Sequence, residues 1–171
     1  FSVDDKNLHS LCFGLNIHTA SKRILGLIWG KQFTCYGLDL LQESIVVEFS
    51  TPTEKKQWDV SSYEQWALII GKTILKAEVY WSWRAYPTPE QEEEFEKTGQ
   101  LYIPIEQREY YPQDILLEFD NGTRYFISAS EYRSGPDDTE GHLIIGTDEV
   151  TIFFDDAVAE EFNIGPYMPE E

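Results

Sequence analysis

The run Leu27-Ile28-Trp29-Gly30-Lys31 returns as Leu68-Ile69-Ile70-Gly71-Lys72, and its first four positions return in kind at Leu143-Ile144-Ile145-Gly146. An apolar run stopped by glycine and used three times in 171 residues constrains the architecture more than any other feature of the chain. The spacings are 41 and 75 residues. Flanking blocks account for the difference. Residues 44–49, Ser-Ile-Val-Val-Glu-Phe, align with 114–119, Asp-Ile-Leu-Leu-Glu-Phe, at an offset of 70, and Trp58-Asp59-Val60-Ser61 aligns with Tyr125-Phe126-Ile127-Ser128 at 67. Three occurrences with their flanks in the same order favour duplication over coincidence. The expectation is one domain over 1–171, with repeat units at about 24–66 and 67–133, a partial third unit at 142–154 and an insertion at about 84–112.

Local signals fill in these units. Ile24 to Trp29, Gln32 to Tyr36, Val46 to Phe49, Leu116 to Phe119, Tyr125 to Ser128, Leu143 to Ile145 and Val150 to Phe154 have the composition of short strands. In Ile74 to Trp83, period-2 alternation places Ala77, Val79, Trp81 and Trp83 on one face and Glu78, Tyr80 and Ser82 on the other. Asp120-Asn121-Gly122-Thr123 between apolar runs predicts a hairpin, with a type I′ turn as the expected geometry. Residues 50–56 hold a longer polar loop in the first copy, and Pro52 bars that stretch from a central strand.

Helix signals are fewer. Thr88-Pro89-Glu90-Gln91 combines a capping residue, proline at the first helical position and glutamine at the third, so a helix is predicted from Pro89 to about Lys97 and ended by Gly99. It carries Glu90, Glu92, Glu93, Glu94 and Glu96 with only Phe95 to bury, so a weakly anchored excursion is expected. Leu101 to Ile105 should return as an edge-like extended segment, since Pro104 cannot donate to a ladder. Asp155-Asp156 should cap a last helix over Ala157 to Phe162, closed by Gly165-Pro166. Residues 1–24 give no clear pattern.

The fold class that follows is α+β and β-rich. Two related hairpin or meander units pack as a mostly antiparallel, curved sheet with short helices. Five Trp, ten Tyr and ten Phe are enough to bury a core despite a net charge of −18. That charge is one-sided. Residues 1–86 hold nine basic and nine acidic side chains, whereas 87–171 hold four basic and 22 acidic. Nucleic-acid backbone and anionic membrane are repelled by such a surface, and a basic protein partner is attracted to it. Solubility alone is the plainer use of the charge. No run of eighteen apolar residues is present, so no spanning helix is expected. No leader is legible, and one ahead of Phe1 is left open.

Chemistry is weakly signalled. His9, His18 and His142 share no ligand spacing, and neither Asp137-Asp138-Thr139-Glu140 nor Asp155-Asp156 has the alternation of a calcium loop, so no metal or other cofactor is expected. Nucleophile elbows and phosphate-binding glycine loops are absent from the sequence. Cys12 and Cys35 read as buried, reduced thiols. Glu48 and Glu118 occupy equivalent repeat positions and would form a carboxylate pair if a pseudo-twofold brought them together. Alternating tryptophans on a strand are first expected in a large β core. The alternatives for Trp81, Trp83 and Tyr86 are a platform for sugar rings or the anchor of a protein interface.

Residues 114–122, Asp-Ile-Leu-Leu-Glu-Phe-Asp-Asn-Gly, followed by Tyr125-Phe126-Ile127-Ser128, resemble segments of small acidic bacterial proteins, some of them like the immunity proteins that neutralise toxins. The resemblance covers about forty residues and lends no catalytic position. It implies a non-enzymatic, cytoplasmic, partner-binding role. The leading expectation is therefore a protein-binding module that offers Glu92, Glu93 and Glu94, or Asp137, Asp138 and Glu140, to a basic partner. A carbohydrate- or ligand-binding domain using Trp81, Trp83 and Tyr86 is the alternative, and a hydrolase with paired carboxylates is the third.

Overall fold

A computed structural model describes residues 2–4, 7–12, 14–29, 32–33, 36–45, 58–133, 141–147 and 149–168. The strands are β1 (Ser2–Asp4), β2 (Leu8–Cys12), β3 (Gly14–His18), β4 (Ile24–Trp29), β5 (Leu38–Leu41), β6 (Ile74–Arg84), β7 (Glu109–Phe119), β8 (Arg124–Ser128), β9 (Ser130–Arg133), β10 (His142–Ile145) and β11 (Glu149–Phe153). The helices are α1 (Glu64–Ala67), α2 (Pro89–Thr98) and α3 (Asp156–Glu161), with 3-10 turns at Ile105–Gln107 and Gly165–Tyr167. The protein is thus a β-rich α+β fold, and every strand pairing among the described residues is antiparallel.

One six-stranded sheet organises the molecule in the order β1-β2-β11-β8-β7-β6. A three-stranded sheet, β3-β4-β5, and the hairpin β9-β10 accompany it. Because side chains alternate across a strand, neighbouring residues feed different cores. Leu117, Tyr125, Ile127 and Ile152 pack with Leu27 and Leu38 of the smaller sheet and with Trp66 of α1. Leu8, Leu116, Phe126 and Phe153 pack with Tyr132, Ala159 and Ile164. β11 lies between the two cores, and Val150, Thr151, Ile152 and Phe153 are all fully buried. Each such apolar side chain stabilises the fold by about 1.5–3 kcal/mol relative to exposure.

Several sequence expectations need correction. The three glycine-stopped runs do not share a conformation: Leu27 to Trp29 lies in β4, Leu68 to Gly71 forms turns after α1, and Leu143 to Ile145 lies in β10. Gly71 and Gly146 both have positive φ, so what these two runs have in common is a left-handed stop, which any apolar segment can acquire. Trp58 to Val60 has no regular structure, whereas Tyr125 to Ser128 is strand. Of the block 44–49, the residues from 46 onward lie outside the described residues. The described parts of the units at 24–66 and 67–133 therefore do not repeat one structure. Residues 32, 33 and 36 are bends, and the strand of that region begins at Leu38. Leu101 to Pro104 is irregular and leads into the 3-10 turn.

The hairpin at Asp120 exists with different turn chemistry. Gly122 N–H donates to Phe119 C=O at 2.9 Å, and only Gly122 has positive φ, at 81°. Asn121 does not, so the turn is of type I with glycine in the bulge position rather than type I′. Asn121 is occupied elsewhere. Its Nδ2 donates to Leu68 C=O at 3.0 Å and its Oδ1 accepts from Thr123 N–H at 3.2 Å.

Residues 1–24, illegible in the sequence, supply β1, β2 and β3 and the most buried histidine. His9 is fully buried, and Trp66 Nε1–H donates to its Nδ1 at 2.9 Å. Phe154 meets the His9 ring edge-on at 4.8 Å and the Trp66 ring at 5.2 Å. Trp66 is the one buried residue of α1, so this bond ties the short helix to the sheet. Burial holds the His9 pKa below its ordinary 6.5. The unfolded chain then binds the proton more readily than the fold does, so stability is lost as pH falls below about 6.5. Between pH 7.5 and 5.5 the urea-unfolding free energy of the wild type should therefore fall relative to that of His9→Phe, the difference isolating the His9 proton.

Candidate interaction surface

β6 ends the six-stranded sheet, and among the described residues its outer edge pairs with nothing. An edge strand of eleven residues has one row of its backbone donors and acceptors outside its own sheet. The face that carries Ala77, Val79 and Trp81 continues the Leu117–Ile115 face of β7, yet the smaller sheet does not extend over it. Val79 is 45% exposed and Trp81 54% exposed. The expectation that the tryptophan stripe is core is therefore overturned at Trp81, because the strand lies at the margin of the covering layer. Trp83 is half-buried, with the Arg108 guanidinium stacked 4.1 Å from its ring centre. Tyr86 is 69% exposed, with Arg84 at 5.5 Å. Trp81 and Tyr86 are thus available to a partner, whereas one face of Trp83 is already taken.

From the end of β6 the chain makes its excursion. α2 has the predicted capping box: Thr88 N–H donates to Gln91 Oε1 at 2.8 Å and Gln91 N–H to Thr88 Oγ1 at 3.4 Å. Gly99 closes the helix in the left-handed conformation, its N–H donating to Phe95 C=O at 2.7 Å. No residue of the helix is buried. Gln91 Nε2 holds it to the returning chain, donating to Gln107 Oε1 at 2.9 Å and Tyr102 C=O at 3.4 Å. Ile103 is the buried anchor of that return. Arg84 pairs with Glu109 at 2.8 Å, and Arg108 Nε donates to Ile103 C=O at 3.4 Å, so both arginines serve the base of the excursion.

What remains outward is acidic and apolar together. Glu92, Glu93, Glu94 and Glu96 are exposed, and among the described residues only Glu93 has a cationic partner, Lys97 at 2.7 Å. Hydrogen bonds at the helix start, from its own backbone N–H and from Thr88, hold Glu90 below the usual carboxylate range. Phe95, Leu101, Tyr102 and Ile105 are exposed on the same excursion, Tyr102 at 78%. Single exposed apolar residues are ordinary, but here four fall on one short segment that buries only Ile103. The acidic pattern of α2 was legible in the sequence, and the exposure of its apolar neighbours was not.

Asp137, Asp138 and Glu140 lie outside the described residues, as does Glu48. Glu118 stands opposite Lys76 and Arg124 in the register of its neighbouring strands. Cys12 is exposed rather than buried, and its thiol is raised in pKa by partial burial and by the Glu149 carboxylate at 3.5 Å. Such a thiol is a poor nucleophile near neutral pH. Cys35 lies outside the described residues. No cluster of three potential metal ligands occurs among the described residues, and no helix among them is long and apolar enough to cross a membrane. Comparison with protein-family models, with curated proteins and with solved structures finds no match.

Proposed function

We propose that this chain is a non-catalytic protein-binding module of the immunity type, which covers a basic partner with the excursion that leaves β6. The observation that supports this reading most directly is the combination on one segment of uncompensated carboxylates with exposed Phe95, Leu101, Tyr102 and Ile105. Charge accelerates the encounter over roughly 8 Å at physiological salt, and the aromatic and aliphatic side chains then exclude water from the contact. Val79 and Trp81 on the neighbouring edge strand extend the area open to the partner.

The two contributions separate kinetically. Using the partner recovered from the native host, charge reversal of Glu92, Glu93 and Glu94 to Lys should slow association about tenfold or more and flatten its salt dependence. Tyr102→Ala should instead speed dissociation, at a cost of about 1–2 kcal/mol. Both changes lie on exposed residues and should leave the melting temperature nearly unchanged. Retention of the partner by both variants at wild-type rates would end the proposal. Trp81 and Tyr86 support a second reading, a platform for sugar rings. Quenching of tryptophan fluorescence by oligosaccharides, abolished in Trp81→Ala, is its test.

A further inference from the structure

Away from this surface, the other face of the six-stranded sheet holds a cavity of about 300 Å³. Its position follows from an irregularity in β7. Tyr80 pairs with Asp114 and Trp81 with Pro112, so Gln113 is an extra residue without an opposite number on β6. Consecutive side chains of a regular strand point to opposite faces, but this bulge allows Gln113 and Asp114 both to line the cavity. Leu143 and Ile145 of β10 and Phe162 and Ile164 beyond α3 give it apolar walls.

Both polar residues are buried and only partly satisfied. Gln113 commits its amide nitrogen to Ala129 C=O at 3.0 Å, and Asp114 Oδ2 accepts from Gly165 N–H at 2.9 Å. Gln113 Oε1 and Asp114 Oδ1 have no hydrogen-bond partner among the described residues. Two buried acceptors left unmatched are costly, and among the described residues nothing basic lines the cavity to answer them. The other titratable group on its described wall is the Tyr111 phenol. Burial raises the Asp114 carboxyl to about 6, against the Gly165 N–H and the nearby Ser128 hydroxyl, which favour the charged form. A carboxyl poised in this range within an apolar recess is a recurrent property of binding sites.

We propose that the cavity beside the Gln113 bulge binds a small organic cation, an ammonium or amidinium on a compact apolar body, whose N–H groups satisfy Asp114 Oδ1 and Gln113 Oε1. An ammonium or amidinium supplies N–H donors for buried acceptors, and the apolar body replaces water against Leu143, Ile145 and Phe162. The site does not depend on the protein-binding role of the excursion: Ser82 on its wall is near the end of β6 from which the excursion leaves, but it faces away from Val79 and Trp81.

Benzamidine is a suitable probe and benzamide its uncharged counterpart. Amide chemical-shift titration at pH 7.5 should show benzamidine moving the resonances of Gln113, Asp114, Ala129 and Gly165, with benzamide at least about tenfold weaker. Asp114→Asn, which keeps the side-chain shape, should lose a similar factor. Calorimetry of the wild type near pH 6 in buffers of different ionisation enthalpy should register proton release on binding, because the cation selects the carboxylate. This last readout needs no variant. Benzamidine shifts confined to the carboxylates of α2, equal affinity for benzamide, or binding without proton release would each overturn the proposal.

Discussion

Alanine at position 14 is expected to destabilise the protein by about 3–5 kcal/mol, the range of a severe backbone clash. Gly14 opens β3 opposite Ile28 with φ at 141°, a region that L side chains rarely adopt. A Cβ there would lie 2.0 Å from Leu27 C=O oxygen and 3.0 Å from Ile28 Cα. These are backbone atoms of the paired strand, so no rotamer change relieves the contact. The strand must move, and Leu27 and Ile28 behind it are almost fully buried. Gly71→Ala is the control. Its φ of 72° is also positive, but nothing lies within 4 Å of the new atom, so only the conformational cost of about 1 kcal/mol applies. Urea midpoints of the two variants compare steric cost with backbone cost directly. A Gly14→Ala protein as stable as Gly71→Ala would contradict the pairing of Gly14 with Ile28 across β3 and β4.

Asp114→Asn is expected to act in the opposite direction and to stabilise the protein at neutral pH. The carboxyl titrates at about 6 in the fold against an ordinary 3.8, so the native state holds its proton more tightly than the unfolded chain does. Its contribution to stability is fully present below about pH 3.8 and is lost as pH rises through about 6. Over that interval the loss reaches about 3 kcal/mol, and asparagine, which can still accept from Gly165 N–H, escapes it. The difference in unfolding free energy between variant and wild type should therefore be largest above pH 7 and shrink towards pH 4. His9 works against this, since its protonation weakens the fold below about pH 6.5. The wild-type profile is the sum of opposed terms, and only the difference curve isolates Asp114. A variant less stable than wild type at pH 7.5 would show that the charged carboxylate is better satisfied than its burial implies. A variant that gains stability while losing benzamidine would show a position held for binding at the expense of the fold.

What could be read from the sequence was local. The limits of β4, the alternation of β6 and both ends of α2 followed from period and capping, because those signals act within a turn or two of the chain. Strand order was not legible. Nothing in Val150 to Phe153 announces that the last strand lies between β2 and β8, since that choice depends on partners more than a hundred residues away for β2. The same blindness misplaced Trp81: alternation shows that a face exists, and whether another layer reaches over it depends on how far the smaller sheet extends. The repeat misled for a related reason, as apolar runs ending in glycine arise wherever a buried segment must turn. Gln113 and Asp114 offered only a faint signal, two polar residues inside an otherwise apolar strand, and their bulge is visible only against β6. The acidic helix was legible as a helix and as a charge. Its exposed aromatic company required the fold.

The place of β11 has a consequence for how the molecule is made. Ser10 lies opposite Thr151, so the strand that holds the principal sheet together is made long after the strand it must join. Until then β2 and β8 have no neighbour on their facing sides, and a growing chain must keep two sticky margins from pairing wrongly. Synthesis and folding are thereby separated in time. The heavy negative charge that grows along the later half meanwhile keeps unfinished chains apart.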